Sequence, residues 1–392
     1  MSQNFDAIII GAGVIGTSIA FHLAKRGLKP VILEQKQMGF GATGSSSGLV
    51  RMHYDLEVES RLAWQSFQYF RNWSERVGGE CGFRRTGFLH IEPAKHIEKL
   101  RANVEMHQKI GIPSEIITGD EVKKLSPSFK TDDIEFAAYE PESGYADATL
   151  TANSFLTAAK EHGAVYAQDC GVTAAQTAGG KVTGVQSTRG DFSAPIVINA
   201  AGAWAGKVSD LFGVSIPLDT WTHDVVHVRR PAHIKDHLTV IDSSLNMYFR
   251  PDSGDLTLVA LEDDSRLGES PEADLGYVAK DFVERAIDRI CKRIPAMEEG
   301  SLHSTHVGRD GLTPDQRAII GAAGPEGYYL VTGFSGTGFK LSPAVGLCVS
   351  ELIVDGKAST VDISGFDPAR FERGETLKGQ NDYGFIWRNE QK

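Results

Sequence analysis

Cysteine is scarce in this chain: four in 392 residues, Cys81, Cys170, Cys291 and Cys348, with no CxxC pair and no Cys/His spacing. That argues against a zinc site or a disulfide scaffold, and isolated thiols suit a reducing compartment. Clustered positive charge is missing too. Acidic residues outnumber basic ones by 51 to 40, for a net charge of −11, so a nucleic-acid partner, which needs grouped Lys and Arg against phosphate, is not expected. No run approaches the ~20 apolar residues of a membrane span. The most apolar stretch, residues 7–20, is broken by three glycines and lacks a basic segment ahead of it, unlike a signal sequence. The expectation is a soluble, cytoplasmic protein without a metal. A chain of 392 residues, 41% of them hydrophobic, exceeds one comfortable core and predicts two domains or one domain with a large insertion.

What is present begins at residue 6. Asp6-Ala7-Ile8-Ile9-Ile10-Gly11-Ala12-Gly13-Val14-Ile15-Gly16 reads as a buried strand, a glycine turn and a helix running to Leu28. A second buried strand, Val31-Ile32-Leu33, ends in Glu34. In such a βαβ unit the first glycine permits the turn, the second lets backbone approach a pyrophosphate, and the third lets the helix pack close to its strand. The helix N-terminus offers unpaired N–H groups and a partial positive charge to the phosphates. Glu34 stands roughly 20 residues beyond the glycines, where an acid can bond a ribose hydroxyl. The pattern predicts a dinucleotide site and leaves NAD, NADP and FAD open.

A loop of small residues follows at 38–48, and its Ala42-Thr43-Gly44-Ser45-Ser46-Ser47-Gly48 can approach a ligand with backbone and hydroxyl donors. Arg51 stands where this loop meets an amphipathic helix carrying Leu62, Ala63, Phe67, Phe70 and Trp73. A guanidinium there can fork onto a carboxylate. Residues 81–140 change character, with a strand at 87–91, a charged helix at 97–110 and a helix start at 119. A helix at 150–163 and strands near 165, 172 and 183 come next. Ile196-Val197-Ile198-Asn199-Ala200-Ala201-Gly202 then reads as a parallel-sheet strand whose small terminal residues can lie against a flat ring or ribose. Strands at 225–228, 246–250 and 256–260 form an antiparallel insertion. Near the end, Tyr329-Leu330-Val331-Thr332-Gly333-Phe334-Ser335-Gly336-Thr337-Gly338-Phe339-Lys340 returns to a strand and glycine loop, with a helix expected over 343–352.

Four of these motifs together resemble the family of FAD-dependent amine and amino-acid oxidoreductases that includes D-amino-acid oxidase, glycine oxidase and sarcosine oxidase. They are the first glycine turn with Glu34, the 44–54 loop, the 198–204 strand end and the 333–340 loop. Gly41-Ala42-Thr43-Gly44 with Val50-Arg51 and Tyr54 looks most like the β subunit of heterotetrameric sarcosine oxidases. The resemblance implies an α/β fold: a discontinuous, Rossmann-like FAD-binding domain over 1–80, 144–216 and 298–392, with an inserted substrate domain on a mostly antiparallel sheet over 81–143 and 217–297. Against FAD it places Gly11, Gly13, Val14, Ile15, Gly16, Glu34, Gln35, Ala42, Thr43, Gly44, Ser45, Ser47, Gly48, Leu49, Val172, Ala200, Ala201, Gly202, Trp204, Gly308, Gly333, Gly336, Thr337, Gly338, Phe339 and Lys340. Arg51 and Lys340 become the anchors of a substrate carboxylate, Tyr248 the far wall of the pocket and His53 a further catalytic candidate. His223 and Arg309 fall near the ring as lesser candidates.

The implied activity is oxidation of a small carboxylate-bearing secondary amine or amino acid, sarcosine-like. Hydride passes to flavin N5 and leaves an imine that hydrolyses; the cofactor carries the hard chemistry and the protein orients it. A 2-hydroxy-acid dehydrogenase and a FAD-holding subunit of a larger dehydrogenase complex remain as alternatives. Two departures from the family pattern matter. Relatives that attach FAD covalently use a Cys near the position of Gly308 or a His in the first glycine loop, and neither is present, so the FAD is expected to be noncovalent. The lysine that promotes oxygen reaction in monomeric relatives is missing from 256–260. An acceptor other than oxygen, and a partner subunit or homo-oligomer, are therefore in keeping with the sequence.

Overall fold

The computed structural model describes residues 3–384; the outermost ends of the 1–80 and 298–392 segments lie outside them. The residues Ala-Ile-Ile-Ile at Ala7–Ile10 and Pro-Val-Ile-Leu at Pro30–Leu33 are buried throughout, as strands covered on both faces must be. They lie in a six-stranded sheet ordered Ile319–Ala322, Tyr328–Thr332, Val197–Asn199, Ala7–Ile10, Pro30–Leu33, Val165–Ala167. All its pairings are parallel except that of the Ile319–Ala322 edge. Alternation divides its side chains: Ala7 and Ile9 join one apolar core, Ile8 and Ile10 another. The first core is roofed by helix Val14–Lys25, flanked by Ala148–Glu161 and Gly338–Asp355.

The largest sheet has eight strands, ordered Ser301–Leu312, Asp219–Arg229, Leu256–Leu267, Met247–Pro251, Thr239–Asp242, Phe88–Ile91, Phe136–Glu140, Glu115–Thr118, and two smaller sheets of four and two strands complete the sheets of the described residues. It is antiparallel apart from the pairing of Thr239–Asp242 with Phe88–Ile91. The fold is thus α/β, a largely parallel sheet beside a largely antiparallel one. Strand Ser301–Leu312 falls in the 298–392 segment, yet it pairs with Asp219–Arg229 along its length. The cut read from the sequence at 297/298 therefore precedes the last strand of the large sheet instead of following it.

The last long helix also differs from expectation. It begins at Gly338, five residues before Pro343, which lies inside it. Proline removes the N–H that would serve the Phe339 carbonyl, and the Ser342 hydroxyl donates to that oxygen at 2.8 Å instead. This early start places Lys340 in the first helical turn. All four cysteines are free thiols, and among the described residues no helix is long and apolar enough to cross a membrane.

Candidate active site

The Ala7–Ile10 strand delivers the chain into a left-handed Gly11, φ +106°, where a Cβ would stand 2.6 Å from the Ala200 carbonyl oxygen. Gly16 packs so closely on the Gly11 carbonyl that no side chain fits there either. Helix Val14–Lys25 therefore starts hard against the strand end. Its N-cap is Gly13, with no capping side chain of its own and no acid in its first turn. One of the helix's open N–H groups, that of Val14, is served from the neighbouring loop by Thr43 Oγ1 at 3.0 Å. At the end of the next strand Glu34 is fixed by accepting from the Ala12 N–H (2.9 Å) and the Lys36 N–H (2.8 Å). Open helix donors, a backbone cradle that a Cβ would fill and an oriented carboxylate fit the diphosphate and ribose of a dinucleotide.

From this cradle a cavity of about 680 Å³ runs to the large sheet. Every site residue expected from the sequence lines it except Gly16, Gly44 and Gly48. Those three shape its walls. Gly48 has φ +68° and abuts the Ala146 carbonyl, while a Cβ on Gly44 would stand 2.6 Å from the Gly39 oxygen. Glu34, Gln35 and Val172 lie at one end with Cys170, whose thiol donates to Ser187 Oγ. Gly308 faces the Ser45 side chain so tightly that a Cβ would come within 2.7 Å of its hydroxyl.

Arg51 and Lys340 share the cavity and lie close enough for their charges to interact. Arg51 donates to the His53 carbonyl and stacks over the Tyr54 ring at 4.3 Å, while its Nε has no partner among the described residues. Lys340 donates to the Gly336 carbonyl at 3.2 Å. Burial, and then the nearby Arg51 charge, hold the Lys340 ammonium well below its ordinary pKa. Asp310 also faces it, but its carboxylate is taken up by the Gly336 and Gly311 N–H groups at 2.6 and 2.8 Å. Neither cation makes an ion pair among the described residues. Tyr248 reaches the cavity from strand Met247–Pro251, with its phenol pushed by burial up to about 12.

Other candidates are engaged elsewhere. His53 touches the cavity, but its ring lies between those of His90 and His107, each 4.6 Å away, and its Nε2 is hydrogen-bonded to the Tyr383 hydroxyl at 2.8 Å. Burial, then His90 and His107, holds its pKa well below the usual value. His53, His107 and Glu140 are all buried and bring one ligating atom each within 4.8 Å of one another. A single bridging water suits that spacing, since each hydrogen bond spans about 2.8 Å. Arg309 spends its guanidinium on the Pro271 and Ala273 carbonyls. His223 packs with its ring centroid 3.9 Å from that of Trp221, the planes tilted by 56°, and burial takes its pKa down to about 4.

Gln316 and Glu262 are among the cavity residues that the sequence does not point to. Gln316 adopts φ +59° and has a buried amide nitrogen without a partner among the described residues. The turn residues Thr313-Pro314-Asp315 before it were the available signal. Glu262 stands two residues beyond Ala260, where the strand was thought to end; the alternation of strand Leu256–Leu267 carries it onto the cavity.

Residues 6–352 match the sequence model of the family described as DAO: FAD dependent oxidoreductase. Mitochondrial sarcosine dehydrogenase of Mus musculus is 27% identical over 390 residues, covering 96% of this chain and 42% of that protein. The chain thus spans less than half the length of that relative. Among solved structures, L-proline dehydrogenase from P. horikoshii superposes with a TM-score of 0.90 at 27% identity, over 96% of this chain and 100% of that one. Glycine oxidase from Geobacillus kaustophilus superposes with a TM-score of 0.82 at 25% identity, over 94% and 99%.

Proposed function

The chain belongs to the FAD-dependent oxidoreductase family, and we propose that it oxidises a small secondary amine or amino acid bearing a carboxylate, using noncovalent FAD. The observation that carries the reading is the pair of cations, Arg51 and Lys340, which line the same cavity as the dinucleotide cradle and make no ion pair among the described residues. Residues 11–15 with Thr43 would hold the pyrophosphate, Glu34 and Gln35 the ribose, and residues 336–339 the ring. Bound FAD supplies the hydride acceptor.

The chain's own residues bind and orient the substrate. Arg51 and Lys340 converge on one carboxylate, which fixes the neighbouring nitrogen and carbon, and such positioning supplies much of a rate. Lys340 must be protonated to do this. Its depressed pKa means that carboxylate affinity is fullest at low pH and declines as pH rises through the Lys340 pKa; a bound carboxylate pulls that pKa back up. The imine product then hydrolyses in water. Strand Leu256–Leu267 carries no lysine, which supports an acceptor other than oxygen, such as a partner subunit of the kind found with sarcosine oxidase β subunits.

Noncovalent attachment is supported by two features. The cavity's cysteine, Cys170, sits at the Glu34 end, and no side chain is present at Gly308. Acid precipitation should release yellow flavin into the supernatant; colour in the pellet would contradict it. The activity is tested by supplying a redox dye with N-methyl amino acids, proline, other amino acids and 2-hydroxy acids in turn. Dye reduction by amines is expected, and reduction by hydroxy acids alone would overturn the amine assignment.

A further inference from the structure

Strand Leu256–Leu267 runs antiparallel to Met247–Pro251 with Ala260 opposite Tyr248. Residues two apart share a sheet face, so Glu262 stands beside Ala260 and Tyr248 and lines the cavity with Arg51. The charged and titratable groups around it come from several elements: Arg51 and His53 from the segment after Leu49–Val50, His90 and Glu92 at the end of Phe88–Ile91, Asp242 from Thr239–Asp242, Tyr248 from the adjacent strand, and Lys340 across the cavity. Most are engaged. Asp242 bonds Arg293 at 2.7 Å, and Glu92 bonds His90 and His96 at 2.8 Å each. His90 still keeps Nδ1 without a partner at this wall. Glu262 lines the cavity beside Ser243 and makes no ion pair among the described residues. Burial, then the nearby Glu92, pushes its carboxyl up to about 8 against the pull of Arg51.

A substrate carboxylate on Arg51 and Lys340 puts the substrate's nitrogen within one carbon of two positive charges. An ammonium group there is repelled unless an anion stands beside it. We propose that Glu262 is that anion: it pairs with the substrate ammonium and takes up its proton, so that the site selects zwitterionic amino acids over carboxylates of the same shape. In this step the ammonium N–H bond breaks, the proton passes to a Glu262 carboxylate oxygen, and the electron pair stays on nitrogen. That lone pair is then free to form the C=N bond once the hydride of the adjacent carbon is lost to the acceptor that bound FAD would supply. The inference rests on the amine reading above, and it distinguishes an amine from a 2-hydroxy acid, whose neutral hydroxyl gains far less from a carboxylate.

The test compares two ligands with no hydrogen on the carbon beside the carboxylate. 2-Aminoisobutyrate carries an ammonium where pivalate carries a methyl group. Each is titrated into the FAD-loaded protein from about pH 6 to about 9, following the flavin absorbance. A carboxyl with a raised pKa is neutral below that pKa and ionised above it. The ratio of the two affinities should therefore swing toward the amine by about tenfold per pH unit and level off above about pH 8. Loss of charge on Lys340 weakens the hold on both carboxylates and also eases the repulsion on the ammonium, a contribution that Glu262→Gln retains, so the part of the slope lost in that variant is Glu262's own.

In Glu262→Gln, with flavin content as in the wild type, the tenfold-per-unit part of the slope should be lost and the preference for 2-aminoisobutyrate near pH 8.5 should fall by about 10- to 100-fold. A wild-type ratio independent of pH would overturn the proposal even if the variant fails to fold, as would a variant that keeps the full wild-type slope. If neither ligand perturbs the flavin and no amine bleaches it, the amine reading itself fails and this assignment with it.

Discussion

A Gly13→Val chain is expected to fold and to purify with less than about a tenth of the wild-type flavin, an affinity loss on the order of a thousandfold from two or more lost charge-assisted hydrogen bonds. Gly13 caps helix Val14–Lys25 at φ −73° and ψ 176°, angles that any residue adopts, so the backbone is not strained by the change. A Cβ would stand 3.2 Å from Thr43 Oγ1, the atom that serves the Val14 N–H. A branched side chain displaces that hydroxyl and fills the space ahead of the helix N-terminus, where a pyrophosphate must meet backbone. Flavin absorbance per protein, read alongside circular dichroism, measures both effects. Gly16 gives the contrast: a Cβ there strikes the Gly11 carbonyl, so Gly16→Val should fail at folding. A Gly13→Val protein with full flavin would show that the cradle is not where the pyrophosphate lies.

Removing the cations should have the opposite signature, normal flavin and poor substrate binding. Each charge-assisted bond to a carboxylate is worth about 1.5–3 kcal/mol, so Arg51→Ala and Lys340→Ala should each weaken binding by about 10- to 100-fold. The two are coupled. Arg51 helps to depress the Lys340 pKa, so its loss leaves a lysine that charges more readily and takes over part of the task. The double variant should therefore lose more than the product of the singles, on the order of a thousandfold or beyond. Spectral titration of the flavin with substrate measures this, and unchanged affinity in both single variants would refute the carboxylate assignment.

The cradle was legible in the sequence because its rules are local. A left-handed Gly11, a close-packed Gly16 and an acid at the next strand end are each dictated by neighbours within one βαβ unit. The parts that were not legible depend on distant partners. Strand Ser301–Leu312 begins with the polar run Ser-Leu-His-Ser-Thr-His, exposed over its first five residues, and becomes a strand by pairing with Asp219–Arg229 some eighty positions earlier. Glu262-Asp263-Asp264 reads as the end of a strand, yet pairing with Asp219–Arg229 resumes at Ser265 and carries that strand on to Leu267, and Glu262 lines the cavity. His53 looked available because nothing in its own segment shows that His90, His107 and Tyr383 will enclose it. Pro343 looked like a helix start, and only the Ser342 hydroxyl bond reveals how it is accommodated inside one.

The most direct test of the account is anaerobic mixing of the isolated, yellow protein with sarcosine, with L-proline and with lactate, following the loss of flavin absorbance. The account predicts bleaching by an amino-acid amine at a rate that saturates with its concentration, and none by the hydroxy acid. Bleaching by lactate alone, or by no amine at all, would contradict it.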